Sequence, residues 1–261
     1  MRVPEIRLAS AAAPVGQFAG GGAAAFVDHI ARPGKRMLGE WASTVHMPHW
    51  PAPPRGDGAS AILIPGFLAG DPSLTRMARW LKAGDFSLVR SGIRWNVDCL
   101  EDTVNSVERR LETAVEKEGR RALVIGQSRG GVVGRVLAVR RPDLVGTLVT
   151  LGSPLRSQTA VHPPVWLSIG IVGGLGSLGV PAMLSHTCAD GDCWRESREA
   201  IEAPFPEDVR FISFYSRGDS VVRYEACLDP AAEHIEIASS HLGMGVDAAV
   251  WRILSRRLGR V

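Results

Sequence analysis

The chain of 261 residues is 45% apolar and 22% charged, and 30 Lys/Arg against 27 Asp/Glu leave a formal charge of only +3. That balance excludes a disordered chain, which would carry fewer aliphatic side chains and a larger net charge. It also gives no electrostatic footprint for nucleic acid, since no run of five or six basic residues makes a patch. Four cysteines, Cys99, Cys188, Cys193 and Cys227, are too few for a disulfide scaffold and lack a Cys-x-x-Cys zinc spacing. No window of about 18 strongly apolar residues marks a transmembrane segment.

The first 58 residues read as an N-terminal helical and extended segment. Leu8 to Val27 is Ala/Gly-rich behind Arg2 and Arg7, the composition of a signal peptide, but Pro14, Gly16, Gln17 and the glycines at 20–22 break its apolar run. Residues 23–30 and 35–44 are helix-compatible and split at Pro33-Gly34; Pro48, Pro51, Pro53 and Pro54 then make an extended connection.

From Ala59 to the C-terminus, short apolar runs alternate with longer amphipathic ones, the pattern of parallel strands buried on both faces and joined by crossover helices. The strand candidates are Ala61–Ile64, Phe86–Val89, Ala122–Ile125, Thr147–Leu151, Val209–Tyr215 and Ile235–Ala238. Leu100, Val104, Val107, Leu111 and Val115 form one apolar helical face; further helices are predicted from Gly130 to about Arg141, ahead of Pro142, and from Val246 to Leu258. The implied fold is α/β, three-layered, with a mostly parallel sheet of about six strands and helices on both faces. Residues 154–208 interrupt the rhythm and read as a cap or lid insert. Its Gly-rich apolar stretch Val165 to Leu184 is too interrupted for one firm amphipathic helix and suits an acyl-binding surface.

The chemistry concentrates behind three strands. Ala122–Ile125 runs into Gly126-Gln127-Ser128-Arg129-Gly130 and then a helix, a Gly-x-Ser-x-Gly pattern in which small residues let strand and helix approach around a strained serine. A serine hydroxyl needs a base, and the base needs an orienting carboxylate. Of seven histidines, only His241 follows the nucleophile at the end of a strand; His29, His46 and His49 precede it, His162 and His186 lie in the insert, and His234 opens a strand. Asp219, at the end of the strand closing on Tyr215, is the favoured acid, with Asp190, Asp192, Asp208 and Asp229 as the alternatives between Ser128 and His241. The oxyanion needs two backbone N–H groups, assigned to Arg129 and, in the loop after the first core strand, to Phe67, with Leu68 as runner-up.

Ile62 to Ala69, Val149 to Pro154, Tyr215 to Asp219 and Ser240 to Gly245 resemble the α/β-hydrolase superfamily, and more narrowly bacterial lipase/esterase-like serine hydrolases, over roughly Ser60 to the C-terminus. The resemblance implies an α/β-hydrolase fold lacking two N-terminal strands of the full sheet, a triad of Ser128, Asp219 and His241, and cofactor-free, metal-free hydrolysis of carboxylic esters. Gln127 departs from it, standing where His or Trp is frequent. Phe67, Leu68, Leu155, Trp166, Val221 and Leu242 are the candidate substrate-binding residues for a hydrophobic acyl ester or lipid, with transient contact to a lipid interface through the insert. Thioester or amide hydrolysis on the same triad, and a non-catalytic binding protein on the same fold, remain alternatives. Cys188 and Cys193 flank a short loop that closes as a disulfide if the protein is exported; they stay reduced in the cytoplasm, the favoured location. With His186 they lack a fourth ligand for a metal site.

Overall fold

The computed structural model describes residues 50–157, 160–184, 188 and 192–259. The two helix-compatible stretches and the leader-like run before Trp50 lie outside the described residues. Six strands form one all-parallel sheet: β1 (Ser60–Ile64), β2 (Ser87–Val89), β3 (Ala122–Gln127), β4 (Val145–Leu151), β5 (Arg210–Tyr215) and β6 (Glu233–Glu236), in the order β2-β1-β3-β4-β5-β6. Helices α1 (Thr75–Ala83), α2 (Leu100–Glu118), α3 (Arg129–Arg140), α4 (Pro163–Ser177), α5 (Asp192–Glu202) and α6 (Ala248–Leu258) complete the described elements.

Alternation along the strands builds two cores. Ala61 and Leu63 of β1, Leu123 and Ile125 of β3, and Ile212 and Phe214 of β5 face one side, against Met77, Trp80 and Leu81 of α1 and Val250, Trp251, Leu254 and Leu258 of α6. Ile62, Ile64, Val124 and Phe211 face the other, against α2, α3 and Ala200 of α5. Successive side chains of a strand point to opposite faces, so a strand covered on both sides must be apolar throughout. Every residue of β1 and β3 is accordingly buried. On the first face Trp80 and Trp251 stack with ring centroids 5.3 Å apart and Trp50 sits edge-on to Trp251 at 5.1 Å, which moors the start of the described chain to α6.

Several elements differ from the sequence reading, among them α5, which it did not contain, and β4, which starts at Val145 and not at Thr147. The apolar insert does form a helix, α4: Pro163 and Pro164 open its first turn, and enough apolar residues remain between the glycines to pack it. Val165 and Ile169 of α4 pack against Val161, Val222, Ala226 and Cys227, while Leu167, Ile171 and Leu175 face solvent. The last strand starts two residues early, because β6 is an edge strand with a mostly exposed Glu-His-Ile-Glu sequence that carries no apolar signal. Helix α1 has no counterpart in the expected elements, although Met77, Trp80 and Leu81 hold helical spacing behind Pro72. The Cys188–Cys193 pairing is not formed: Cys188 retains its thiol, and among the described side chains it is Cys99, next to the first residue of α2, that is disulfide-bonded. None of the described helices is long and apolar enough to cross a membrane.

Candidate active site

The strand order reverses between β1 and β3: β1 connects outward to β2, and the chain then returns to lay β3 on the other side of β1. Loops leaving the C-terminal ends of two strands that diverge this way open a crevice between them. Here those loops are Pro65–Gly70, after β1, and the turn at Ser128, after β3.

Ser128 has φ 52° and ψ −123°, a conformation that a residue with a side chain adopts only under constraint from its surroundings. The constraint is steric and hydrogen-bonded. A Cβ on Gly126 would lie 2.4 Å from the Gly130 carbonyl oxygen, and one on Gly130 would lie 2.1 Å from that of Ile64, so strand and helix touch backbone to backbone across the serine. The Ser128 N–H donates to the Leu151 carbonyl at 2.8 Å and the Ser128 carbonyl accepts from Gly131 N–H at 2.9 Å. Ser128 is the N-cap of α3, so the helix dipole and the unpaired first-turn N–H groups favour negative charge beside it. Arg129, the first helical residue, has no intrahelical acceptor for its backbone N–H.

Asp219 and His241 are brought together: His241 Nδ1 and Asp219 Oδ2 are 2.7 Å apart, and both side chains are buried. The other carboxylate oxygen, Oδ1, accepts from the backbone N–H groups of Val221 at 2.8 Å and Val222 at 2.9 Å, which fixes the carboxylate plane. With Nδ1 facing the carboxylate, Nε2 is the nitrogen left for a substrate-side proton. Asp229, an alternative acid in the sequence, is instead in a buried ion pair with Arg135 at 2.6 Å, and Asp208 pairs with Arg121 at the opposite end of the sheet. Asp190 lies outside the described residues, as does the side chain of Asp192.

Two contacts tie the His241 loop to the serine turn. Gln127 donates from Nε2 to the carbonyl of His241 at 3.1 Å, and Gly152, which follows the Leu151 that holds Ser128, has space for a Cβ only 3.1 Å from both Asp219 Oδ2 and His241 Nδ1. Ser128 Oγ and His241 are not hydrogen-bonded to each other, a looseness common before a substrate closes the site. Gly66 approaches from the β1 loop, its Cβ position 3.1 Å from that of Ser128, which brings the loop that carries Phe67 against the serine turn. Leu68 is 43% exposed with φ 60°, and Leu242 is 51% exposed beside His241. Val221 packs under α4. Leu155 is 1% exposed and packs within the α2/α3-side core. The Trp166 side chain lies outside the described residues.

Sequence reasoning missed Gln127 as the anchor of the histidine loop, Gly152 as the floor of the Asp–His pair, and Asn96, a fully buried amide that donates from Nδ2 to the Pro65 carbonyl at 2.6 Å. Only Gly152 had a local signal, a glycine directly behind a strand at the catalytic rim. The Arg129 side chain donates to Asn96 Oδ1 and to the Asp98 carbonyl. Arg129 is half-buried, and desolvation pulls the pKa of its guanidinium down to about 10, opposed by the Asp98 carboxylate and by Cys188; it is a cation at neutral pH. Behind the pair, burial first and the Asp219 charge second push the Cys227 thiol up, so it stays protonated.

No protein-family model matches the chain, and no curated protein matches it by sequence. Solved structures do. A mature lipase of Bacillus licheniformis superposes with a TM-score of 0.59 at 13% identity over 81% of this chain and 95% of its own. A monoacylglycerol lipase of Paleococcus ferrophilus gives 0.52 at 12% identity, covering 78% of this chain and 96% of its own. An α/β-hydrolase enzyme from the metagenome of Mar Chica lagoon sediments gives 0.52 at 17%, covering 78% and 91%. Together with the six-stranded parallel sheet and the strand order around β1, these likenesses identify the chain as having the α/β-hydrolase fold.

Proposed function

We propose that the protein is a serine hydrolase that cleaves carboxylic esters of hydrophobic acyl groups through an acyl-enzyme on Ser128. The observation that carries the reading is the buried 2.7 Å Asp219–His241 pair on the same rim as a serine forced to φ 52°. His241 Nε2 takes the proton from Ser128 Oγ as that oxygen bonds to the ester carbonyl carbon. The carbonyl oxygen becomes an oxyanion bound by the N–H groups of Phe67 and Arg129, each such donor contributing on the order of 10²–10³ in rate. His241 returns the proton to the departing alcohol as the C–O bond breaks; water then repeats the sequence and frees the acid. Asp219 holds the imidazole tautomer and stabilises the imidazolium, a role whose loss costs about 10⁴ in kcat.

The substrate side rests on apolar surface. Leu68 and Leu242 flank Ser128 and His241, and α4 presents Leu167, Ile171 and Leu175 to solvent with Leu178 just beyond it, at steps of three and four residues. A helix apolar on both its packed and its solvent face suits a lid that meets acyl chains or a lipid surface. The solved lipases of the same fold support an ester as the substrate class.

The test is a panel of acyl esters of graded chain length, with thioesters and anilides as further arms and fluorophosphonate labelling as a control. The wild type hydrolyses esters, prefers longer chains over acetyl, and is labelled at Ser128; Ser128→Ala is neither active nor labelled. An inert, unlabelled wild type would assign the fold to a binding protein instead, and a dominant anilide or thioester rate would reassign the bond cleaved.

A further inference from the structure

Beyond the contacts within its own turn and with Ser73, the loop after β1 that carries Phe67 is hydrogen-bonded, among the described residues, to the segment between β2 and α2. Asn96 donates from Nδ2 to the Pro65 carbonyl at 2.6 Å and from its backbone N–H to the Ala69 carbonyl at 2.9 Å, while Asp71 N–H donates to the Ile93 carbonyl at 3.0 Å. Phe67 and Asn96 form an isolated parallel bridge. Between these anchors Leu68 is held at φ 60°, a conformation that leucine adopts only when its flanks are fixed. The loop therefore keeps its shape only as firmly as Asn96 is placed.

Asn96 is placed in turn by Arg129. The guanidinium donates from Nη1 to Asn96 Oδ1 and from Nη2 to the Asp98 carbonyl, spanning two acceptors on one segment with its fork. Among the described residues no carboxylate lies within ion-pair distance of it; the Asp98 carboxylate supports the cation from farther off, and the hydrogen bonds of the fork go to two neutral acceptors. Both acceptors sit on one short segment, so the contacts draw on the planar geometry of the guanidinium fork.

We propose that Arg129 is a positioning residue for the oxyanion hole: through Asn96, its guanidinium fixes the Gly66–Phe67 backbone at a set distance from the Arg129 N–H. The inference deepens the serine-hydrolase reading and rests on it. One residue then supplies one oxyanion donor from its backbone and locates the other with its side chain, so the two donors are mutually referenced.

The test compares Arg129→Met, Arg129→Lys and Asn96→Ala with the double variant Arg129→Met/Asn96→Ala, using kcat and KM on a short-chain ester and the rate of fluorophosphonate labelling. Loosening one donor costs less than deleting it, so Arg129→Met is expected to lose roughly 10- to 100-fold in kcat and in labelling rate, with KM within about threefold and the pH midpoint of the His241 limb unmoved. Arg129→Lys keeps the cation without the fork and is expected to be as impaired as Met. The double variant is expected to be no slower than the worse single, since both break one chain of contacts. A Lys variant with wild-type kcat would overturn the proposal in favour of the charge alone, and full additivity of the two single effects would overturn the route through Asn96. Should Arg129→Met fail to fold, the Lys and Asn96→Ala variants decide. An unlabelled, inert wild type would refute the hydrolase reading instead, so the two failures are separable.

Discussion

Alanine at Gly152 is expected to damage catalysis out of proportion to its effect on stability. The residue has φ 58°, and a Cβ there would sit 3.1 Å from Asp219 Oδ2, His241 Nδ1 and Met244 Sδ. Two costs follow, and they can be separated. The left-handed backbone costs a non-glycine residue about 1–2 kcal/mol wherever it occurs. The contacts add a local displacement of a few tenths of an ångström. Asp219 cannot absorb it, because Val221 and Val222 N–H pin its other oxygen at 2.8 and 2.9 Å, so the imidazole must move. Misplacement by 1 Å costs about 10² in rate, and a few tenths therefore about tenfold, or ~1.4 kcal/mol of transition-state stabilisation. Gly119 provides the control: it also has positive φ, 67°, at the C-cap of α2, but nothing lies within 4 Å of its Cβ position. Urea denaturation should show Gly152→Ala and Gly119→Ala both destabilised by about 1–2 kcal/mol. Ester hydrolysis should show kcat reduced about tenfold in the first and unchanged in the second. Equal kcat in two folded variants would refute the claim that Gly152 sets the imidazole position.

Two further predictions concern the scaffold. Asp229→Ala strands the Arg135 guanidinium, which is buried against α5 and also donates to the Ala200 carbonyl at 2.9 Å; urea denaturation should report a loss of about 3–5 kcal/mol, largely recovered in Arg135→Met/Asp229→Leu, and a loss under 1 kcal/mol would mean that water reaches the cation. Glu101 is held below its ordinary 4.5, chiefly by its hydrogen bond with Arg140, so it binds fewer protons folded than unfolded. Its contribution to stability is therefore complete above pH 4.5 and lost as pH falls through the lower folded value. The stability gap between wild type and Glu101→Gln should accordingly be widest near pH 7 and close below pH 4.5, and a gap independent of pH would discount the ion pair.

What could be read from the sequence, and what could not, follows from how a parallel sheet is wound. Each crossover returns the chain to the same end of the sheet, so a residue directly behind a strand is delivered to the common rim whatever lies between. Ser128 behind β3, Asp219 four residues beyond β5 and Phe67 behind β1 needed only local pattern: an apolar run, then a turn. The place of His241 beside Asp219 follows from chain order even though β6 lies two residues from its expected position, because the four residues 237–240 carry the chain on from Glu236 to the rim. The contacts that give these residues their geometry run across the rim rather than along the chain. Asn96 reaches Pro65 from 31 residues away and Gln127 reaches the His241 carbonyl from 114, and neither amide has a local signature, since an Asn in a loop and a Gln at a strand end are ordinary. The sequence thus displays which candidate groups reach the rim, while the distances between them are set by polar side chains whose partners only the folded rim identifies. Substitutions at Gln127, Asn96 and the Arg129 guanidinium should for that reason move rate more than stability, the reverse of what substitutions in the two apolar cores would do.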